Sequence, residues 1–322
     1  MILPDIDTIW SLSEHNFNDI ALQIFHFQVK NNTVYGQYVN LIDQDPTKIE
    51  HYTQIPFLPI SFFKTHKVVS LPYKPEAIFE SSSTTGKGTS KSYVKDIELY
   101  HNTCKQIIEE RIGSLSDYEV LGLLPSYLER KNSSLVSMVK YFMDYNKQSN
   151  SFFLYNHNTL EARLLSPGKK LLFGVSFALL DFAENHKIDS SDLTIIETGG
   201  MKGRKEEVTK DEVYSQLQNS FENATILSEY GMTELMSQAY SDSSGRYTTP
   251  NWMKVLPRAD NDPLESASEG KTAALNIIDL ANLDTCSFIA TDDLGRVYSD
   301  GSFEIIGRLD HADLRGCSLM IE

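Results

Sequence analysis

The sequence predicts an α/β protein of layered mixed or parallel sheets covered by helices, with a small β-rich part towards its end. Three observations carry this expectation. Short apolar runs at 77–79, 121–124, 171–175 and 194–196 alternate with stretches of helical period, the pattern of strands buried on both faces. Past Tyr240 the texture turns to polar turns and β-rich pieces. A chain of 322 residues at 41% hydrophobic composition can also bury a large core. No internal repeat or long linker divides it. The whole of 1–322 therefore reads as one large domain, with a layered α/β part over about 1–240 and a β-rich part over 241–322.

The elements follow in order. Phe17, Ile20, Ala21, Ile24 and Phe27 recur at helical spacing, so about the first thirty residues read as amphipathic helix. Pro56 and Pro59 forbid a helix over Ile55–Ile60, which reads as an apolar segment pinned against the core. Ala77-Ile78-Phe79 and Tyr93-Val94 are strand signals around a polar loop. Ile97, Tyr100, Cys104, Ile107, Ile108 and Arg111 share one helix side, which makes Cys104 a buried structural cysteine. Ser133 is a natural N-cap for the helix that follows. Leu171–Val175 reads as strand, Ser176–Leu180 as helix and Thr194–Glu197 as strand. Thr209-x-x-Glu212 is a capping box, with Val213, Leu217 and Phe221 facing inward. Ala274–Ile278, Ser287–Ala290 and Phe303–Ile306 read as a small antiparallel sheet or barrel.

Composition narrows the partners. Acids outnumber bases by 44 to 29, a formal charge of −15, which argues against nucleic acid or an anionic membrane as the main partner. A phosphate ligand would have to be held by a local basic pocket. Cys104, Cys286 and Cys317 have neither disulfide nor zinc spacing, which fits a reducing cytoplasm. The N-terminus has no basic and apolar signal pattern. The longest apolar run, 171–180, is too short to span a bilayer, so no transmembrane segment is expected.

The chemistry centres on Ser81-Ser82-Ser83-Thr84-Thr85-Gly86, hydroxyls and a glycine between two strand signals. Hydroxyls, backbone N–H groups and nearby lysines can form a polyanion cradle; a solvated Ser/Thr linker is the plainer alternative. A Walker A loop does not fit, because Ser90 stands where glycine must precede the Lys91-Ser92 pair. Gly199-Gly200-Met201-Lys202-Gly203-Arg204-Lys205 follows a strand, where open α/β sheets bind ligands.

Together, several distant segments resemble the acyl-adenylate-forming enzymes. The hydroxyl loop looks like their phosphate loop, and Tyr230-Gly231-Met232-Thr233-Glu234 matches their Tyr-Gly-x-Thr-Glu motif. Thr291-Asp292-Asp293-Leu294 and Gly307-Arg308-Leu309-Asp310 resemble their Thr-Gly-Asp-Leu and Gly-Arg-x-Asp motifs. The nearest likeness within that superfamily is to the acyl-protein synthetases of bacterial bioluminescence. It is carried by Leu124–Arg130, Ser133–Val136, Glu197–Gly203 and Arg315-Gly316-Cys317.

The resemblance implies the large N-terminal domain of an adenylate-forming fold, which turns a carboxylic, fatty or otherwise apolar acid plus ATP into acyl-adenylate and pyrophosphate. The acyl group would pass to a thiol, on Cys317 or on an acceptor protein. It implies that Ser81–Gly86 hold the β- and γ-phosphates, and that Tyr230 and Gly199-Gly200-Met201 flank adenine, with Gly231, Met232 and Thr233 beside them. Glu234 would help to hold Mg²⁺, a hard cation that prefers oxygen. Asp293 would bind the ribose hydroxyls and leave AMP's sugar and phosphate close to Arg308. Arg315 could lower the pKa of Cys317.

Several departures qualify the match. Ser83 stands at a usual glycine, Asp292 replaces the glycine before Asp293, and no Pro-Lys-Gly follows Gly86. The sequence ends at Glu322, before the position of the family's C-terminal lid and its lysine. Lys202, Arg204, Lys205 and Arg308 are the cations that could replace that lysine, because stabilising a transferred phosphoryl group is mostly electrostatic. The alternative is a catalytically impaired nucleotide- or acyl-binding partner subunit.

Overall fold

The computed structural model describes residues 3–81, 88–125, 132–148, 151–153, 156–199, 209–241, 244–260, 262 and 264–309. The chain divides into two compact units. Unit 1 comprises 1–62, 68–71 and 251–322, and unit 2 comprises 63–67 and 72–250.

Unit 1 opens with helices α1 (Ile6–Trp10), α2 (Glu14–Asn31) and α3 (Thr33–Leu41). The expected N-terminal helix is thus broken before Glu14. Ser13 starts α2 in a capping box, its N–H donating to Asn16 Oδ1 at 2.8 Å, and such a cap fixes where a helix begins. Helix α2 buries Phe17, Ala21, Ile24, Phe25 and Gln28, with Phe27 only half-buried. Gln28 takes an inner position because its amide completes backbone bonding in 282–287. It donates to the carbonyls of Asn282 at 3.0 Å and Leu283 at 3.1 Å, and accepts from Ser287 N at 2.9 Å. A buried amide needs such partners. The 55–60 segment is pinned as expected, with Ile55, Phe57 and Leu58 buried. It contributes a short strand, β1 (Leu58–Pro59). Tyr35, stacked on Phe288 at 6.1 Å, donates to Pro56 O at 2.5 Å.

Unit 2 begins with a hairpin of β2 (Ala77–Glu80) and β3 (Lys91–Val94). Helix α4 (Ile97–Ile112) buries Tyr100, Thr103, Cys104, Ile107 and Ile108, close to its expected face, while Arg111 is exposed. There follow β4 (Tyr118–Leu123), α5 (Ser134–Tyr145), β5 (Phe152–Phe153), α6 (His157–Leu164), β6 (Lys169–Gly174) and α7 (Ser176–Ala183). Then come β7 (Leu193–Glu197), α8 (Lys210–Ser220), β8 (Thr225–Tyr230), β9 (Ala239–Ser241) and β10 (Tyr247–Thr248). Ser133 and Thr209 cap α5 and α8 as their sequences predict.

The strands of unit 2 lie in the order β5-β4-β6-β7-β8-β9-β10, parallel from β5 through β8 and antiparallel beyond. Strand β7 is buried along its whole length, as a central parallel strand covered on both faces must be.

Unit 1 resumes with an antiparallel meander of β11 (Met253–Arg258), β12 (Thr272–Asp279), β13 (Phe288–Val297) and β14 (Phe303–Arg308). Strand β1 runs parallel to the start of β13 at Ile289–Ala290, and β14 takes over that edge from Asp293 onward. The β-rich reading of the later sequence is thus an open antiparallel sheet, joined by one strand from the N-terminal segment. No helix among the described residues is long and apolar enough to cross a membrane.

Candidate active site

Unit 2 gathers polar groups at the carboxyl ends of β6, β7 and β8, where parallel sheets expose backbone that no further residue of the strand covers. Glu197 closes β7, in register with Gly174 of β6 and Ser228 of β8. Its buried carboxylate accepts from Ser176 Oγ, from Ser228 Oγ at 2.8 Å and from the Gly199 N–H at 2.7 Å. Three donors on one buried carboxylate repay its loss of water. Thr198 N donates to Gly174 O at 3.0 Å and Ser176 N to Gly199 O at 3.3 Å, tying the first turn past β7 to the end of β6. Gly199 has φ +70°, a conformation that favours glycine, although its surroundings leave room for a side chain.

The Tyr-Gly-x-Thr-Glu motif starts at the end of β8. Tyr230 is buried, with its ring edge-on to Tyr247 at 5.9 Å. Gly231 is exposed, Met232 and Thr233 are half-buried, and Glu234 is buried. Leu235 N bonds to Met232 O at 3.1 Å and closes the turn. Burial, then the charge of Glu197, pushes the Tyr247 hydroxyl well up, and Lys210 Nζ donates to it at 2.6 Å.

The strands that flank the hydroxyl loop, β2 and β3, are pinned together where they meet it. Glu80 and Lys91 are cross-strand partners with an ion pair at 3.0 Å. Ser81 N donates to Ser90 O at 3.0 Å, and Ser81 Oγ accepts from Ser90 N at 2.9 Å. The first hydroxyl therefore helps to pin the two strands. Ser82, Ser83, Thr84, Thr85 and Gly86 lie outside the described residues, as do Gly200, Met201, Lys202, Arg204, Lys205, Asp310, Arg315 and Cys317.

Unit 1 holds the other two expected site residues as a cross-strand pair. Asp293 of β13 faces Arg308 of β14, and Arg308 Nε donates to Asp293 Oδ1 at 2.8 Å. Asp293 is nearly covered whereas the Arg308 side chain is 70% exposed. Asp293 N donates to Thr291 Oγ1 at 3.1 Å, and that hydroxyl donates to Leu275 O at 2.8 Å. Buried Arg258, absent from the expected set, donates to Thr291 O at 2.9 Å and Asn276 Oδ1 at 2.9 Å. Unit 1 also contains a cleft of about 800 Å³ bordered by Asp45, Lys48, Phe57, Leu256 and Glu265. Among the described residues, none of the expected site residues lines it.

Glu229 had also escaped notice in the sequence. Strand alternation places it on the opposite face of β8 from Ser228 and Tyr230, and an acid inside such a strand is itself a signal. Part of the residue meets solvent, but its Oε2 is sealed and without a hydrogen-bond partner among the described residues. Burial, then the charge of Glu197, pushes its carboxyl up to about 8. Among the described residues no group of three or more His, Cys, Asp and Glu is arranged to hold a metal. Cys104 and Cys286 are both buried, and burial pushes the Cys286 thiol up to about 12.

The family model of the LuxE acyl-protein synthetases matches residues 127–322. The chain belongs to that family. No curated protein matches this LuxE-family chain in sequence. Its fold is similar to solved AMP-forming acyl-CoA ligases. A 2-hydroxyisobutyryl-CoA ligase aligns at TM-score 0.69 and 11% identity, over 96% of this chain and 75% of its own. ATP-bound MatB from Rhodopseudomonas palustris aligns at TM-score 0.54 and 15% identity, over 72% of this chain. A long-chain-fatty-acid-CoA ligase from Archaeoglobus fulgidus aligns at 0.51 and 13%, over 78% of this chain and 54% of its own. The alignment spans 48% of the MatB chain, about half its length. At these identities the likeness carries the fold, a mixed α/β sheet flanked by helices.

Proposed function

We propose that this LuxE-family chain activates a carboxylic acid with ATP and passes the acyl group to a protein thiol. The observation that carries the reading is the placement of Tyr230–Glu234 at the carboxyl end of β8. There it lies beside the Glu197–Gly199 turn that closes the neighbouring parallel strand. In the first step a carboxylate oxygen of the acid attacks the α-phosphorus of ATP. The new O–P bond forms as the bond to the β-phosphate breaks, and pyrophosphate leaves. In the second step a thiolate attacks the acyl carbon, a thioester forms and AMP leaves with the mixed-anhydride electrons.

The residues take the roles that the family resemblance implies. Ser81–Gly86 receive the terminal phosphates, Tyr230 and Gly199–Met201 flank adenine, and Gly231–Thr233 border it. Asp293 accepts from the ribose hydroxyls. Arg308, with its exposed side chain, supplies positive charge to the phosphate, and Lys202, Arg204 and Lys205 are the further cations. Mg²⁺ bound with ATP would neutralise phosphate charge, and Glu234 offers it one carboxylate. That donor suits an ion that takes most of its ligands from phosphate and water.

Cys317 is the proposed acyl carrier, and the burial of the other two thiols supports it. Cys104 and Cys286 are sealed in cores, and the raised Cys286 thiol is a poor nucleophile at neutral pH. Cysteines without disulfide spacing also suit a cytoplasmic setting. The resemblance favours a fatty acid as substrate and an acceptor protein as partner.

ATP–pyrophosphate exchange over a panel of carboxylic acids tests the first step. Exchange with at least one acid is expected. Its absence with every acid, despite ATP binding, would overturn the activity and favour a nucleotide- and acyl-binding partner subunit. Labelled acid with ATP should leave hydroxylamine-sensitive label on the chain, and Cys317→Ser should abolish it. Undiminished label in that variant would place the carrier elsewhere.

A further inference from the structure

Three polar atoms in one neighbourhood of unit 2 are sealed from solvent and have no hydrogen-bond partner among the described residues: Glu229 Oε2, Gln238 Oε1 and Tyr240 Oη. Glu229 and Tyr240 are direct cross-strand partners in the antiparallel pair β8–β9, so their side chains share one face. Gly231 joins Gln238 to them. A Cβ at Gly231 would lie 3.2 Å from Glu229 Oε1 and 3.4 Å from Gln238 Cγ. Glu229 and Gln238 therefore flank the first turn of the Tyr230–Glu234 motif, with Tyr240 beside Glu229.

The charged and titratable groups facing Glu229 do not supply its missing partner. Glu197 on β7 repels it. Tyr100 on α4, Tyr240 on β9 and Tyr247 on β10 are uncharged, with burial the first cause of their raised hydroxyls. Arg111 of α4 pulls the Tyr240 hydroxyl down, but its guanidinium bonds to Thr248, the neighbour of Tyr240 on β10, rather than to Glu229 or Tyr240. Buried polar atoms are ordinarily satisfied. Three orphans at the edge of a binding motif call for a polar ligand group, and Gln238 Oε1, which only accepts, calls for one that donates.

On the reading that the chain activates an acid, we propose that this acid carries a hydrogen-bond-donating substituent, a hydroxyl or an ammonium, received by Glu229, Gln238 and Tyr240. A hydroxyl donates to one of the two acceptor oxygens and accepts from Tyr240 Oη. An ammonium donates to several of them and favours the ionised form of Glu229. A plain hydrocarbon tail would leave all three atoms unpaired, and sites built to bond a hydroxyl discriminate strongly against analogues that lack it. The bareness of Gly231 keeps Glu229 and Gln238 beside the motif.

The test measures binding by calorimetry with α,β-methylene-ATP present, so that it does not depend on turnover. Unsubstituted acids of several lengths are paired with their 2-, 3- and ω-hydroxy and ω-amino counterparts. At least one substituted acid should bind about tenfold or more tightly than its parent. Glu229→Ala and Tyr240→Phe should each reduce that preference to about threefold or less. If no substituted acid exceeds its parent by more than about twofold, or the preference survives both variants, the proposal falls. In that case a resident water satisfies the three atoms. Preferential binding without pyrophosphate exchange would sink the activity and keep this inference, whereas exchange that ignores the substituent would do the reverse.

Discussion

Asp293 and Arg308 face each other across β13 and β14, with Arg308 Nε 2.8 Å from Asp293 Oδ1. The acid is nearly covered and the base mostly exposed, so the pair presents a positive group to solvent from a fixed carboxylate. Exposed ion pairs contribute under about 1 kcal/mol to stability. Arg308→Ala should therefore leave the melting temperature almost unchanged while lowering ATP affinity about tenfold, a typical loss for one charge-assisted contact. Calorimetric titration with ATP and a thermal melt check the two halves. A large drop in melting temperature with unchanged affinity would make Arg308 structural.

Gly295 should be intolerant of a side chain although it belongs to no motif. The β13–β14 register shifts between Leu294 and Gly295, and a Cβ at Gly295 would sit 2.2 Å from Glu304 O and 2.8 Å from Leu275 Cδ1. Neighbouring backbone cannot yield as a side chain does. Gly295→Ala should cost about 1–3 kcal/mol, as overpacked sites do. It should also weaken ATP binding, because the same register aligns Asp293 with Arg308. Urea denaturation beside the ATP titration reads both effects.

Glu229 gives stability a pH dependence. A carboxyl raised from 4.5 to about 8 in the fold binds its proton more tightly folded than unfolded. Its contribution is therefore full below pH 4.5, declines as pH rises towards 8, and is lost above that. Glu229→Gln removes the titration. The variant should gain on the parent across that window by up to a few kcal/mol, on the order of one to two per pH unit. Above about pH 8 the gap should stay constant. Denaturant midpoints measured at several pH values show whether it widens.

Glu197 should respond in the opposite sense to the same exchange. Its carboxylate accepts from two serine hydroxyls and the Gly199 N–H, and an amide would turn an NH₂ group towards those donors. Glu197→Gln should cost about 2 kcal/mol or more. The Gly199 turn should loosen as well, seen as faster amide hydrogen exchange there.

Much of the layered architecture was legible because burial on both faces writes continuous apolar strands. Leu171–Val175 and Thr194–Glu197 announce themselves in this way, as do the caps at Ser133 and Thr209. Two features were not legible. Gln28 reads as a polar residue of a helix surface, and only the carbonyls of 282–287 explain its burial; a contact so distant in sequence has no local signal. Glu229 sits beside a conspicuous motif, and an acid inside a strand is a faint signal, but that its oxygen lacks a partner among the described residues is a property of packing that spacing does not encode. Where the motif residues fall, by contrast, followed directly from strand ends, since Tyr230 terminates β8 and Gly199 follows β7.

The split composition of unit 1 bears on how the protein is made. Its helices and strand from 1–62 pack with strands that begin only at Met253, so the early segment must wait while the ribosome adds everything between. At about 5–20 residues per second that delay is on the order of ten seconds or more. During this time Phe17, Phe25, Tyr35 and Phe57 have no finished core to enter, whereas 72–250 is continuous and can fold as it emerges. The nascent N-terminal segment is thus a natural client for a holding chaperone. Premature termination near 250 would release a formed unit 2 with a sticky, unfinished leader.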